Sequence, residues 1–415
     1  VRKRNHHAPR IYWTKDKSSC HTGSTCACST VAPSTNTHRT IGRNTGDVGN
    51  NAAQRSQRKN QEDSIKSKNK EGKEMTTLSY DDVLLQPQYS DIRSRSEIDM
   101  TTDLGRGLVL ATPIFSSPMD TVTEGRMAVA LGESGGCGII HRYNTTARQQ
   151  RFVERAKTLS RNTGINVGAA IGITGDYLER AEALIKSGVA FLCVDVAHGH
   201  HILMKEALAA LREKYPDLHL MAGNVATLEA VNDLSDWGAD SVRCNIGGGS
   251  ICTTRIQTGH GVPGLHTVLE CAKTDRNVKI IADGGIRNSG DIVKALAAGA
   301  DAVMCGSLFA GCTEAPGEVF RSSSGETWKT YRGMASKEAQ SDWKGNYSSL
   351  EGVASKVPYR GSVSVVLNDL RRGIRSGFSY TGARNIEELH AKAQFIEQTT
   401  SGLTEGHPHI MGRTW

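Results

Sequence analysis

A chain of 415 residues is long enough for one large α/β domain with insertions, or for two domains of about 150 residues each. Its longest apolar runs are strand-sized, short of the roughly 18 residues needed to cross a bilayer, which excludes a membrane span. The formal charge of +7 does not signal a nucleic-acid partner, because residues 1–74 hold 15 Lys+Arg and 6 Asp+Glu, leaving −2 for the remainder.

In chain order, residues 1–74 are rich in Asn, Ser, Thr, Lys and Arg, with no helical or strand periodicity. Such a segment buries too little apolar area to offset its ordering entropy, so a disordered basic tail is expected. Its Arg-rich, acid-poor composition also suits a transit peptide. Cys26 and Cys28 form a C-x-C without a second ligand pair at zinc-site spacing. Met75 directly precedes the first patterned segment; the folded protein is expected to begin there, with the upstream residues dispensable or spurious.

From residue 76 onward, eight apolar runs rich in β-branched residues follow one another: TPIFSSPM, GGCGIIH, INVGAAIG, AFLCVDVAHG, LHLMAGNV, DSVRCNIGGG, KIIADGG and AVMCGSLF. Between them lie stretches such as YLERAEALIKSG and LMKEALAALREKY, whose apolar residues recur at helical spacing. Strands alternating with helices imply a parallel sheet. Eight units over some 250 residues fit a single TIM (β/α)8 barrel spanning 75–415, where a doubly wound open sheet needs fewer strands. Seven of the ten cysteines (Cys137, Cys193, Cys244, Cys252, Cys271, Cys305 and Cys312) lie in or beside apolar runs without paired spacings. That usage suits a reducing, cytoplasmic setting better than a disulfide framework.

The carboxyl ends of the runs read DVAHG, GNV, GGGS, DGG and CGS. Polar and glycine residues gather there when a barrel builds its site from the loops after the strands. Gly284, Gly285 and Gly306 follow strands seven and eight, where phosphates are held on loop amides, and Ser250 and Ser307 add hydroxyl donors. Asp283, an anion, suits ribose hydroxyls instead, so a nucleoside monophosphate is the expected ligand. Cys252 follows the sixth strand on the same rim; a nucleophilic thiol needs deprotonation, and no adjacent lysine or histidine supplies it.

With LSYDDVLLQP, SSPMDTVTE, GSICTTR, IADGGIRNSGDI, GSLFAG, EAPGE and YRGMAS spread along it, the chain from 76 to about 410 resembles the IMP dehydrogenase/GMP reductase family. The resemblance implies the same barrel, usually as a homotetramer, with Cys252 as the nucleophile on C2 of a purine nucleotide, GMP or IMP. It implies Thr254 and Glu314 as an acid/base pair. Nucleotide-binding positions would be Ser117, Ser250, Asp283, Gly285, Gly306, Ser307, Tyr331, Gly333, Met334 and Glu351. Asp195 and Asn224 would lie near the cofactor, NADP(H) or NAD(H), and carbonyls of Gly247, Gly249 and Cys252 would hold a potassium ion. The pair of regulatory modules inserted after the second strand in many relatives is absent.

Two features depart from the family pattern. Where the family reads Gly-Ile-Gly-Pro-Gly-Ser, this chain has Asn245-Ile246-Gly247-Gly248-Gly249-Ser250. In a mobile flap expected over about 335–360, Asp342-Trp343-Lys344 stands where the dehydrogenase carries the Asp-Arg-Tyr whose Arg-Tyr pair activates water. The flap therefore points to a GMP reductase, with IMP dehydrogenase as the alternative and a non-catalytic nucleotide-binding barrel as the third reading.

Overall fold

A computed structural model describes residues 77–160 and 164–408. Eight parallel strands close into a barrel: β1 Ile114–Ser116, β2 Cys137–Ile140, β3 Val167–Ile171, β4 Phe191–Asp195, β5 His219–Val225, β6 Ser241–Cys244, β7 Lys279–Asp283 and β8 Ala302–Cys305. All eight expected runs supply a strand. Closure comes from β8 pairing with β1, Val303 opposite Ile114 and Cys305 opposite Ser116, so the barrel has no open edge.

Every residue of β2, β3, β6 and β8 is buried. One side of each strand fills the barrel and the other meets the helices, which is why the sequence shows continuous apolar runs rather than alternation. Inside, Phe115, Ile139, Phe191, Met221, Ile281 and Met304 pack together, with Phe115 and Phe191 edge to face at 5.9 Å. Leu104, Leu108 and Leu110 join that cluster from a hairpin, Thr102–Asp103 with Val109–Leu110. Arg106 of this hairpin bonds Asp240, which directly precedes β6 (2.6 Å). The hairpin thus plugs the amino ends of the strands and leaves the carboxyl ends for a site.

The connecting helices begin at side chains that accept otherwise unpaired amides. Thr145, Thr227 and Asn288 accept from Arg148, Ala230 and Asp291. After β8 the chain leaves the barrel to form an antiparallel sheet of β9 Phe320–Arg321, β10 Thr327–Arg332 and β11 Ala354–Pro358. The expected flap resolves into the helix Lys337–Lys344 and β11, which pairs with β10 from Trp328–Pro358 to Arg332–Ala354.

No described helix is long and apolar enough to cross a membrane. The basic tail with Cys26 and Cys28 lies outside the described residues.

Candidate functional site

Of the seven free cysteines among the described residues, six are buried and Cys252 alone is partly exposed. Burial pushes the thiols of Cys137 and Cys193 up to about 12, which makes them inert. Cys252 Sγ donates to Thr254 Oγ1 (3.1 Å), and Thr254 Oγ1 donates to Glu351 Oε2 (2.8 Å). Thiol, hydroxyl and carboxylate form one hydrogen-bonded chain.

Glu351 arrives there through the backbone. Thr253 N–H donates to Glu351 O (2.9 Å) and Val353 N–H to Ile251 O (3.0 Å), setting Cys252 opposite Gly352 in an antiparallel bridge. The expected pairing of Thr254 with Glu314 is corrected by this geometry. Glu314 accepts from Ser362 Oγ (3.0 Å) and Val363 N–H (2.9 Å), capping the helix Val363–Thr381.

A cavity of about 250 Å³ at the same rim is lined by Tyr80, Asn245, Ser250, Gly285, Arg287 and Ser307, among others. It brings together three of the residues expected to hold a phosphate. Gly306 lies where Tyr331, Met119 and Ser117 converge: a Cβ there would fall 2.7 Å from Tyr331 Oη and 3.5 Å from Ser117 Oγ. Only glycine leaves that room. Burial pushes the Tyr331 phenol up to about 12, with a hydrogen bond involving Ser250 acting the other way, so it is a neutral donor at ordinary pH. Gly333 packs on Gly352, and Met334 Sδ accepts from Asp120 N–H (3.4 Å).

Asp283 and Asp195 are joined by Arg243, a residue of the sixth apolar run, and Asn224 also bonds Asp283. Asp283 Oδ2 accepts from Arg243 Nη2 (2.8 Å), Arg243 Nε (3.2 Å) and Asn224 Nδ2 (2.7 Å). Arg243 Nη1 also donates to Asp195. Burial works against the guanidinium charge, but the carboxylates of Asp283 and Asp195 outweigh it and hold its pKa well above the ordinary value. The one signal in sequence was a lone arginine inside an otherwise apolar strand. Arg243→Leu would leave Asp283 without its cation and Asp195 with Arg142 alone at 3.7 Å, and is expected to cost about 3–5 kcal/mol in urea unfolding; an unchanged midpoint would remove Arg243 from this bridging role.

Beside this cluster, Arg142 approaches Asp195 at 3.7 Å, and its Nε is enclosed without a hydrogen-bond partner. Its guanidinium lies over the Tyr143 ring (5.4 Å), and Tyr143 meets Trp343 at 6.2 Å. In the flap triplet, Asp342 is bonded by Arg332 Nη1 (2.6 Å), which also reaches Asp120 through Nη2 (2.7 Å). Tyr143, Glu314, Asp342 and Trp343 line a second cavity of about 540 Å³. Gly247, Gly249 and Cys252 lie on one loop, with Cys252 N–H donating to Gly249 O (3.1 Å).

The family model described as the IMP dehydrogenase/GMP reductase domain matches residues 77–409. An inosine-5′-monophosphate dehydrogenase of Borreliella burgdorferi is 38% identical over 80% of this chain and 96% of its own length. One from Nitrosopumilus maritimus is 34% identical over 80% and 98%. Among solved structures, a variant of GMP reductase from Trypanosoma brucei in complex with guanosine 5′-monophosphate superposes with a TM-score of 0.76. It is 30% identical and is matched over 82% of this chain and 99% of its own. With a closed eight-stranded barrel and a match over most of its length, the chain belongs to the IMP dehydrogenase/GMP reductase family of oxidoreductases.

Proposed function

We propose that the protein is a GMP reductase, converting GMP to IMP and ammonia at C2 of the base with NADPH as reductant. The observation that carries the reading is the chain Cys252–Thr254–Glu351. It connects a nucleophile to a proton store through a hydroxyl, which is what displacement of an amine requires. Cys252 Sγ bonds to C2, and the thiol proton passes through Thr254 to Glu351. The relay returns a proton to the exocyclic amine as the C2–N bond breaks, so ammonia leaves and a thioether-linked purine remains.

The nicotinamide, when bound, supplies the hydride that ends on C2. Cys252 then departs as thiolate and is reprotonated by one proton taken up from solvent through the relay, because the original thiol proton left with the ammonia. Asp195, Asn224 and Arg142 are the residues that would hold the cofactor, Arg142 Nε standing 3.7 Å from Asp195 Oδ2 without a hydrogen bond. Ser250, Gly285, Gly306 and Ser307 would hold the 5′-phosphate. All three protein bonds to Asp283 fall on Oδ2, which leaves Oδ1 for ribose hydroxyls. The Gly247–Cys252 loop offers carbonyl oxygens of the kind a potassium ion takes, and no step here depends on it. Homotetramer formation belongs to the same proposal and is read by light scattering of the purified protein.

The flap supports the reductive direction. Hydrolysis of the purine–cysteine bond needs an activated water, because water is a poor nucleophile at neutral pH. Here the relevant triplet is Asp342-Trp343-Lys344, with Asp342 tied to Arg332 and Trp343 against Tyr143. IMP dehydrogenase stands as the second reading, favoured by the names of the curated relatives. Purified protein given GMP and NADPH is expected to consume NADPH and release one ammonia per turnover. NADH formation from IMP and NAD, with no turnover of GMP, would reverse the assignment, and inactivity in both assays would leave a nucleotide-binding barrel.

A further inference from the structure

The two residues that depart from the family's loop pattern, Asn245 and Gly248, touch one another. A Cβ built on Gly248 would fall 2.2 Å from Asn245 Nδ2 and 2.7 Å from Oδ1. Gly248 is not among the glycines with positive φ, so its backbone would accept a side chain. The Asn245 carboxamide is what keeps one out.

Asn245 is itself expensive to place. It is 5% exposed, its φ of 150° lies in a region that favours glycine, and its Oδ1 is enclosed without a hydrogen-bond partner. Its backbone is fully used, with N–H donating to Val225 O (2.8 Å) and the carbonyl accepting from Asn224 Nδ2 (3.0 Å). A buried, unpaired amide costs free energy unless something else pairs with it. The carboxamide nitrogen, unlike Oδ1, is not enclosed, and Asn245 and Gly248 line the 250 Å³ cavity together with Ser250, Gly285 and Ser307. Arg255 lines it too; its guanidinium bonds Val262 O (2.6 Å) and has no ion pair among the described residues.

We propose that Asn245 is a further phosphate-binding residue, whose carboxamide donates to the 5′-phosphate of the nucleotide. Residue 248 is glycine because that carboxamide occupies the room its side chain would need. Oδ1 is the enclosed atom and Nδ2 is not, so the carboxamide leaves its N–H donors, the groups an anion takes, accessible without turning. The inference rests on the nucleotide reading above and adds a ligand that the glycine of the family pattern cannot supply.

The test compares the parent with Asn245→Gly, Gly248→Ala and the double variant, measuring Kd for GMP, IMP, inorganic phosphate and guanosine by calorimetry. Asn245→Gly is expected to weaken GMP, IMP and phosphate by about tenfold or more, the effect of one hydrogen bond to a charged group. Guanosine, lacking the phosphate, keeps the parent affinity. Since glycine suits the φ at 245, the variant's melting temperature stays level or rises, so weakened binding is not misfolding. Gly248→Ala is expected to lower the melting temperature, and Asn245→Gly to relieve that loss in the double variant by more than additivity allows. Parent-like phosphate affinity in Asn245→Gly, or an equal loss for guanosine, overturns the proposal. A parent that binds phosphate through Asn245 but neither GMP nor IMP sinks the function while upholding the anion site; one that binds none of them sinks both.

Discussion

Cys252→Ser is expected to lower turnover of GMP by at least about 10³-fold, the scale on which removal of a covalent nucleophile acts. Its Kd for GMP should stay within a few-fold of the parent, because none of the proposed phosphate and ribose contacts uses the Cys252 side chain. The hydroxyl would keep the hydrogen bond to Thr254 Oγ1, which Cys252 makes at 3.1 Å, so the geometry of the relay survives while the nucleophile is lost. NADPH absorbance in multiple-turnover assays gives the rate. Mass spectrometry of protein quenched during turnover should find a purine adduct on the parent and none on the variant. A serine variant with parental rates would remove covalent catalysis from the account altogether.

The second large effect separates two glutamates. Glu351→Gln is expected to reduce kcat by about 10²–10⁴-fold, the usual contribution of a positioned proton donor, with little change in GMP affinity. The amide keeps the size of the carboxyl but not its proton. Glu314→Gln removes an acceptor from the start of the helix Val363–Thr381, so its expected effect is a loss of about 1 kcal/mol in unfolding free energy with kcat nearly intact. If the two variants exchange these behaviours, the Thr254–Glu351 hydrogen bond is not the catalytic path.

The contrast between these residues marks how far the sequence carries. The barrel was legible because strands buried on both faces become uninterrupted apolar runs, and each of the eight produced one. Cys252 was legible from its place on the rim after the sixth strand, and Thr254 from the family resemblance. Glu351 is 97 positions from Thr254, and their meeting is fixed by main-chain bonds from 251 and 253 to 353 and 351, which side-chain pattern does not record. Glu314 sat in the EAPGE stretch and Glu351 was expected at the nucleotide, and the backbone pairing is what sets Glu351 against Thr254. Arg243 was hidden for the opposite reason: its charge is compensated inside the barrel by residues on β4 and β7, partners that no local spacing reveals. Asn245 and Gly248 looked like two independent departures, and the space they share joins them.

The short main-chain ladder between residues 251–253 and 351–353 also bears on timing. Because the proton store rides on the segment leading into β11, lifting that segment would break two main-chain hydrogen bonds and carry the carboxyl away from the thiol in one movement. Nucleophile and acid would then be assembled together or not at all, so a purine held while the segment is lifted would meet an idle cysteine. A site put together by docking in this way ties the start of bond-breaking to the enclosure of the ligand, and stray solvent finds little opportunity in between.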